Sequence, residues 1–497
     1  MTSKPLTRRD FLRMAGIGAA GLLAAACGAT PTPAATKAPE ATKAEVAAAP
    51  TNTPAPAAAT NTPAPAPTNT TAPAAAAATA TPVPTAAPRI YGKGKTEVVV
   101  WYQDWDGANK IMNALTPTFV EKHPDVTINL QAIGFDDLFA KLLPSIAAGT
   151  EGDVLMLYTN WVVATDVTKV FLDITEPVGG AQPLQEKMWS AAFNVLDVPQ
   201  GKIFYLPWLA GIRGACITVN TDQLKEKNID YLNFKSYEDV IAAGQSLTQK
   251  GGDKITRAGY SPQSSQYVLI YSLMWQLGGK PFDKTSGKWT FSSPEGEQAA
   301  QILYDIYWKQ QTCDFQLFQS EYEAVSQKLV SIWGDGAWTA SVQNAVANIP
   351  TDNIVTPKLA SASENIQDPD HIACWGLSKK LANQKDKLQP AVDFALAIVS
   401  PDALIQAFDF YSGVCMTKGV YQDPRIDQVK WGKMSKRVAE GMWPIARYNQ
   451  DHVADHGPAS TELMRAMRKE ISIKEALANM DKYLQEQEDS ARERIGA

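Results

Sequence analysis

The stretch Glu97-Val98-Val99-Val100-Trp101-Tyr102 opens a series of alternating strands and helices that establishes the fold class. It is short, apolar and rich in β-branched residues, as central strands of parallel sheets are. Apolar side chains then recur every fourth residue over 111–119, which predicts a helix that ends at His123-Pro124. The folded part of the chain therefore begins with a strand followed by a helix.

The segments that follow repeat this order. Residues 126–130 alternate between apolar and polar side chains, as a second strand does. Apolar positions four residues apart over 138–146 predict a second helix, which Gly149 closes, and residues 153–158 form a third apolar strand. This βαβαβ order predicts an α/β fold with a mostly parallel sheet that carries helices on both faces.

Signals further along the chain extend the α/β pattern. Residues 203–207 and 215–219 are predicted strands on either side of a crossover marked by Gly and Pro. Ser293-Pro294 is an N-cap followed by proline at the first helical position. Ser472-Ile473-Lys474-Glu475 is a capping box that opens a helix near the end of the sequence.

The first 27 residues have the pattern of an export signal. Thr7-Arg8-Arg9-Asp10-Phe11-Leu12-Arg13 is a twin-arginine signature, and an apolar run over 14–26 leads to Cys27. This run is too short for a membrane-spanning helix, which needs roughly 20 apolar residues, so it predicts a cleaved signal. Twin-arginine signals imply export of a chain that has already folded.

Residues 23–27 offer two readings of how the signal is processed. Leu23-Ala24-Ala25-Ala26-Cys27 resembles a bacterial lipobox, in which the cysteine becomes the lipid-bearing N-terminus. The lipobox leucine would usually stand three residues before the cysteine, whereas Leu23 stands four before it. The alternative is ordinary Ala-x-Ala cleavage with Cys27 incidental. We favour lipidation at Cys27, because the next segment has the composition of a tether.

That segment, 28–88, contains 24 Ala, 14 Thr and 13 Pro. It has no aromatic residue and two valines, so it cannot bury enough apolar area to offset the entropy of ordering. A fully extended polyproline II chain of this length would reach roughly 190 Å at ~3.1 Å per residue. Residues 28–88 are therefore predicted to be a disordered stalk.

The remaining residues, 89–497, are expected to form two lobes, because a single core stops growing near roughly 250–300 residues. They carry 40 Lys and Arg against 49 Asp and Glu, an acidic balance that excludes a nucleic-acid role. Their four cysteines are widely spaced, which leaves three possible pairings, and we expect mostly buried thiols. These cysteines are Cys216, Cys313, Cys374 and Cys415.

Signatures of catalysis are missing from the sequence, which contains no Gly-x-Ser-x-Gly, His-Glu-x-x-His or Cys-x-x-Cys. Acidic pairs such as Asp104/Asp106 could form a glycosidase dyad, but such pairs also arise by chance in an acidic chain. His452 and His456 stand at i and i+4, a spacing that could hold a metal. Since no third ligand is evident, we read them as part of a polar loop and predict no metal site and no cofactor.

Several motifs occur in a fixed order over nearly all of 95–490. Residues 119–126, FVEKHPDV, match a helix-to-strand step of the form F-x-x-x-(Y/H)-P-x-(V/I), and 201–207, GKIFYLP, match a crossing strand. Further matches stand at 95–101, 141–153, 220–224, 234–247, 278–283 and 291–296. Together, behind a lipobox and a stalk, they resemble the family 1 extracellular solute-binding proteins of ABC importers, which include the maltodextrin-binding proteins.

The resemblance implies a two-lobed, periplasmic-binding-protein-like (type II) Venus-flytrap fold with hinge crossovers. We expect lobe 1 to comprise 89–208 and 358–410, and lobe 2 to comprise 209–357 and 411–497. The ligand would lie in the cleft between the lobes, beyond the carboxyl ends of the strands.

The candidate ligand-binding residues in the first half of the chain follow predicted strand ends or flank the first crossover. Aromatic rings beside short acids or amides suit sugars, because a ring packs on the C–H face of a pyranose while carboxylates and amides bind its hydroxyls. The alternative role for each aromatic residue is core packing. Trp208 and Arg213 flank the first crossover. The predicted set in this half is Trp105, Asp106, Phe135, Asp136, Asn160, Trp161, Trp208 and Arg213.

The resemblance also implies contacts from the second half of the chain. Residues 331–338, SIWGDGAW, resemble the family's "G-x-W-x-W" segment, but Gly336 stands where the first stacking tryptophan would be, so Trp333 or Trp338 would substitute. The aromatic residue that closes the maltodextrin site would fall at His456. These departures argue against maltodextrin itself. Trp375, which we expect to follow a strand within 374–378, completes the predicted set together with Arg447, Tyr448 and His456.

Two classes of function remain. The first is a monomeric, lipid-anchored receptor on the extracytoplasmic face of the cell membrane, periplasmic or cell-surface, which binds a carbohydrate and passes it to ABC permease subunits. The second is a membrane-anchored carbohydrate-active enzyme, a glycoside hydrolase. We favour the receptor, which is not an enzyme.

Overall fold

The computed structural model describes residues 87–162, 167–193, 198–283, 285–318, 320–368, 370–442 and 456–495. The strands within these residues are β1 Arg89–Tyr91, β2 Thr96–Gln103, β3 Val126–Ile133, β4 Val154–Tyr158, β5 Tyr205–Ile212, β6 Cys216–Asn220, β7 Gln249–Gly251, β8 Lys254–Ser261, β9 Phe282–Asp283, β10 Lys288–Trp289, β11 Val330–Gly334, β12 Thr351–Val355, β13 Asp370–Leu377 and β14 Val414–Cys415.

The α-helices alternate with these strands and also follow the last of them. They are α1 Asp106–Lys122, α2 Phe135–Ala148, α3 Thr159–Val162, α4 Val167–Val170, α5 Ala181–Lys187, α6 Thr221–Lys225, α7 Tyr237–Leu247, α8 Gln266–Gln276, α9 Pro294–Trp308, α10 Glu321–Ser326, α11 Thr339–Ala347, α12 Lys385–Ile398, α13 Pro401–Ala407, α14 Gly419–Gln422, α15 Gly432–Met442, α16 His456–Met467 and α17 Ile473–Ile495.

The larger sheet contains the βαβαβ unit that the sequence predicts. Its seven strands have the order β1-β3-β2-β4-β13-β5-β14. Four of the six pairings in this sheet are antiparallel, so the prediction of a mostly parallel sheet is wrong: β1, β13, β5 and β14 join it from outside the βαβαβ unit. Within that unit, β2 pairs in parallel with β3 and β4. The carboxyl ends of β2, β3 and β4 therefore meet at one edge, where ligands of open α/β sheets bind.

The second sheet has five strands in the order β12-β6-β11-β8-β7. β11 is parallel to β8 and antiparallel to β6, which in turn pairs antiparallel with β12. The chain passes from the first sheet to the second between β5 and β6, and it returns between β12 and β13. Both predicted strands at the first crossover are confirmed, although β5 continues as far as Ile212.

Local signals in the sequence correspond to the observed helix boundaries. α1 ends at Lys122, before His123-Pro124, and α2 is followed by Gly149 in the left-handed conformation, with φ of 69°. The Ser293 hydroxyl accepts a hydrogen bond from the Gly296 amide at 3.2 Å, which caps α9. The Ser472 hydroxyl likewise accepts one from the Glu475 amide at 3.1 Å, at the start of α17.

Each sheet has its own hydrophobic core. The first core surrounds the seven-stranded sheet, and the second surrounds the five-stranded sheet and includes the buried side chains of α16 and α17. Residues 414–442, which the sequence predicts in lobe 2, contact both sheets. β14 pairs with β5, and α15 contributes Val438 and Met442 to the first core. α15 also packs on β12 of the second sheet, where Arg437 Nη2 donates to Oδ1 of Asp352 over 2.6 Å.

The four cysteines of the described chain are free and buried, which confirms the expectation of buried thiols. Burial raises the pKa of the Cys216, Cys313 and Cys374 thiols well above its ordinary value, so these side chains stay protonated. Among the residues described, no single helix is long and apolar enough to cross a membrane. Helices α12 and α13 are long and apolar enough only when they are taken together, and they are bent by 45° at their junction.

Candidate functional site

Five of the predicted residues follow strand ends, as the sequence predicts. Trp105 and Asp106 follow β2, Phe135 and Asp136 follow β3, and Trp161 follows β4 within α3. Because β2, β3 and β4 are neighbours, these residues share the edge at which the parallel strands end. Phe135 and Trp161 are half-buried, whereas Asp106 and Asp136 are exposed at the first turns of α1 and α2.

Four rings at this edge form a ring cluster, which consists of Phe135, Tyr158, Trp161 and His371. The ring centroids of Tyr158 and Trp161 are 4.9 Å apart, and those of Phe135 and Trp161 are 5.1 Å apart. His371 meets Tyr158 edge-on, at 4.7 Å and an interplanar angle of 89°. Such edge-to-face pairs are favourable, and they leave part of each ring face for another partner.

His371 reaches the ring cluster through a close backbone approach. It stands opposite Gly211 in the pairing of β13 with β5. A Cβ atom at position 211 would lie 2.3 Å from Nε2 of His371, so only glycine leaves room for this imidazole. The ring of His371 is thereby held over β5, next to the end of β4.

Tyr158 is the polar member at the centre of the ring cluster. Its hydroxyl donates to Oε1 of Gln103, at the end of β2, over 2.5 Å. Burial raises the pKa of Tyr158 well above its ordinary value, and the positive charge of Arg213 acts in the opposite direction. Tyr158 is therefore a neutral hydrogen-bonding group that lies within electrostatic range of the first crossover.

Arg213 lies on that crossover, between β5 and β6, and belongs to an arginine cluster with Tyr267, Asp335 and Trp338. Its Nε donates to Oδ1 of Asp335 over 3.0 Å, and its Nη1 donates to the Tyr267 hydroxyl over 2.5 Å. The guanidinium carbon lies 5.4 Å from the Trp338 ring centroid, within the range of a cation–π contact. Three side chains from the second half of the chain thus hold the guanidinium in one place.

Trp338 is itself fixed on its far side. Its indole Nε1 donates to the hydroxyl of Tyr322, in α10, over 2.9 Å. Burial raises the pKa of Tyr322, while Arg213 acts in the opposite direction, so this hydroxyl also stays protonated. Trp338 is half-buried and packs against the first hydrophobic core. It therefore contacts the first core as well as Tyr322 of α10.

Trp105 occupies a different part of the same edge. Its ring packs on Tyr411 at a centroid distance of 5.2 Å and lies over Gly107, where a Cβ atom would meet it at 1.9 Å. Its Nε1 is buried and has no hydrogen-bond partner among the described residues, as is also true of Nε1 in Trp208 and Trp375. Asp106, by contrast, forms an exposed ion pair with Lys110 over 2.7 Å.

Three predicted tryptophans lie in the hydrophobic cores. Trp208 and Trp375 are 0% exposed and lie 5.3 Å apart within β5 and β13, and Trp333 is 1% exposed within β11. The sequence analysis places Trp375 after a strand, which is wrong because β13 extends to Leu377. Residues inside these strands offer no ring face to a solute, so we leave the three tryptophans out of the proposed site.

Other predicted residues cannot be placed. Arg447, Tyr448 and Cys27 lie outside the described residues, as do residues 451–455 of the proposed polar loop at 451–456. The assignment of His456 to that loop is wrong, because this residue begins α16. For Asn160, in α3, and His456, at the start of α16, the side chains lie outside the described part as well. Within the described residues, no group of three or more His, Cys, Asp or Glu side chains is arranged to hold a metal ion.

The sequence analysis did not propose His371, Tyr267, Asp335 or Tyr411. Each comes from a segment far in sequence from the residue it contacts. For Asp335 the sequence offers one signal, a carboxylate within the segment 331–338 that resembles a ligand-binding segment of the family. Nothing in the local pattern around Tyr267, near the start of α8, indicates that its hydroxyl meets Arg213.

Comparison with known proteins bears on this arrangement. The sequence model of the family described as "Bacterial extracellular solute-binding protein" matches residues 104–359. A binding protein from Brucella abortus is 26% identical over 187 residues, which cover 37% of this chain and 43% of that protein. The chain therefore matches less than half the length of this relative.

Solved structures share the fold at low sequence identity. The cyclic alpha-maltosyl-1,6-maltose binding protein from Arthrobacter globiformis has a TM-score of 0.63 and 18% identity, and the match covers 80% of this chain and all of that one. An ABC substrate-binding protein from Listeria monocytogenes, in complex with cycloalternan, has a TM-score of 0.63 and 17% identity, with 81% and 99% covered. The fold is therefore the two-lobed α/β fold of periplasmic binding proteins.

Proposed function

Because this chain belongs to the bacterial extracellular solute-binding protein family, we propose that it binds a sugar or oligosaccharide between its two lobes and delivers it to the permease of an ABC importer. The family is one of binding proteins, and the proposal assigns the chain no catalytic step. The solute would be a small carbohydrate, bound by a monomer without a cofactor.

One observation carries the proposal: the half-buried ring cluster lies beyond the ends of the parallel strands, within electrostatic range of the arginine cluster. Aromatic faces bind the C–H face of a pyranose, and a fixed donor such as the Arg213 guanidinium suits its hydroxyl oxygens. A site with both kinds of group favours a solute that is itself half apolar and half polar. The ligands named for the two similar structures, cyclic alpha-maltosyl-1,6-maltose and cycloalternan, support the same class of solute.

The proposed mechanism is closure of the lobes about the crossovers. The division expected from the sequence is lobe 1 as 89–208 with 358–410 and lobe 2 as 209–357 with 411–497. We propose this division with one change, which assigns 411–442 to lobe 1. The refinement is supported by the pairing of β14 with β5. In this arrangement Arg213, on the first crossover, would contact a solute that touches both lobes.

Export and anchoring complete the proposal. The Arg8-Arg9 pair would direct the folded chain to the twin-arginine route, and lipidation of Cys27 would anchor it on the extracytoplasmic face of the membrane. The 28–88 stalk would then let the binding lobes reach solute away from the lipid surface.

The direct test is a thermal-shift screen of purified protein in mild detergent against a panel of sugars, oligosaccharides and polyols. A ligand at 100 times its dissociation constant should stabilise the fold by ~2.7 kcal/mol. Mass spectrometry of the ligand after incubation separates the two classes of function. Recovery of unchanged ligand at one molecule per chain supports a receptor, whereas cleavage would show a glycoside hydrolase.

A further inference from the structure

The ring cluster continues outward along α2. Phe139 stands one helical turn after Phe135, and its centroid lies 5.4 Å from that of Trp161. Phe139 is 52% exposed, whereas Phe135, Tyr158 and Trp161 are half-buried. The rings thus form a continuous series that begins inside the candidate site and ends at the surface.

A single exposed apolar side chain is ordinary, but Phe139 is contiguous with the ring cluster through Trp161 and with exposed Leu143 one turn later on α2. Among the described residues, the large apolar side chains that are exposed are Ile90, Phe139, Leu143, Leu232 and Trp308. Of these, Phe139 is the one whose ring contacts Trp161 of the ring cluster. Its exposed face therefore extends the surface that the proposed solute would meet.

Carboxylates flank this ring. Asp136 and Asp137 are exposed in the first turn of α2, and Asp136 stands three residues before Phe139. Residues three apart are neighbours on a helix surface, so a hydroxyl-binding carboxylate lies beside an apolar ring face. This repeats, at the surface, the pairing of ring and polar group that characterises the inner site.

We infer that Phe139 forms an outer subsite for a further unit of an oligosaccharide whose first unit lies on the ring cluster. The inference rests on the proposed function and names the solute class more closely: a chain of sugars rather than a single one. Phe139 is then a residue that determines the preferred length of the ligand. We favour a sugar over a protein partner at this surface because Phe139 contacts Trp161 of the ring cluster directly.

The test measures affinity against ligand length by calorimetry. The probes are the mono- to pentasaccharides of the α-1,4-, α-1,6- and β-1,4-glucan series. Wild-type protein is compared with Phe139→Ala, with Phe139→Tyr, which keeps the ring, and with Leu232→Ala, which removes an apolar side chain of equal exposure, 52%, on another element. Melting temperatures of all variants should match, since both positions are exposed.

We expect Phe139→Ala to weaken binding of the longest members by about 2- to 10-fold and to leave the shortest binding member unchanged. Phe139→Tyr and Leu232→Ala should bind every length as the wild type does. Equal affinities of Phe139→Ala and wild type at all lengths, or an equal loss at every length, overturns the outer subsite while the sugar receptor stands. Unchanged binding with reduced uptake in cells assigns the surface to a protein partner instead. If wild-type protein binds no glycan in the panel, the proposed function fails and the subsite fails with it.

Discussion

Arg213 Nε lies 3.0 Å from Oδ1 of Asp335, and this contact joins the first crossover between the sheets to the end of β11. The Asp335 side chain is 2% exposed and that of Arg213 is 28% exposed, so the pair is largely shielded from water. A buried carboxylate that loses its cation is strongly destabilising, because nothing replaces its lost hydration. The pair therefore couples the geometry of the candidate site to the stability of the fold.

We predict that Arg213→Ala lowers the free energy of unfolding by about 3 kcal/mol, because it leaves the Asp335 carboxylate buried without its cation. Urea unfolding measures this change. The double variant Arg213→Ala/Asp335→Ala should recover part of the loss, since it removes the uncompensated charge. Lys225→Ala, which breaks the exposed pair of Lys225 with Asp222, is the control and should leave unfolding unchanged. If the Arg213 variant unfolds like the Lys225 variant, the pair does not stabilise the fold.

A second prediction separates tryptophans of the site from tryptophans of the core. Trp161→Ala should lose about 1–3 kcal/mol of solute binding, roughly 5- to 150-fold in affinity, because its half-exposed ring is a stacking surface. Trp375→Ala should instead cost about 3–5 kcal/mol of stability, because it opens a cavity in the first core. Melting temperature without ligand and calorimetry with ligand distinguish the two effects. Normal binding by a folded Trp161→Ala protein would remove Trp161 from the site.

A third prediction concerns pH and Glu321. This carboxyl is buried at the start of α10, where it accepts hydrogen bonds from the Ser261 hydroxyl and, over 3.0 Å, from the Ser264 amide. Desolvation raises its pKa from 4.5 to about 7. Because the pKa in the folded state lies above that of the unfolded chain, the stabilising contribution is complete below about pH 4.5 and is lost as the pH rises through 7.

Wild-type protein should therefore lose about 3 kcal/mol more stability than Glu321→Gln between pH 4.5 and pH 8. Glutamine has the same shape, can accept from the Ser264 amide and does not ionise, so it isolates the titration of this one group. Urea unfolding of both proteins across this pH range tests the difference. Parallel stability curves would show that the pKa of Glu321 is not raised in the folded protein.

The fourth prediction tests export and anchoring in cells. Replacement of Arg8 and Arg9 by lysine should leave the precursor in the cytoplasm, because the twin-arginine route reads the arginine pair. Cys27→Ala should release soluble protein or leave it unprocessed. Fractionation followed by immunoblotting measures both outcomes. A correctly processed Cys27→Ala protein that stays on the membrane would contradict lipid anchoring at that residue.

Local patterns in the sequence were sufficient to predict the alternating elements of the first sheet. The apolar run at 97–102, the stop at His123-Pro124 and the glycine after α2 correspond to β2, to the end of α1 and to the end of α2. Each of these signals acts within a few residues, through side-chain periodicity, the fixed φ of proline or the left-handed conformation of glycine. The class of fold follows from their order.

Which aromatic side chains face the candidate site depended on pairings between distant parts of the chain. β13 inserts between β4 and β5, which buries Trp208 and Trp375 together and brings His371 against Tyr158. The same tertiary contacts give Arg213 its partners Tyr267 and Asp335. A tryptophan has the same local pattern in a core and in a binding site, because its burial is set by the elements that pack against it and not by its neighbours in sequence.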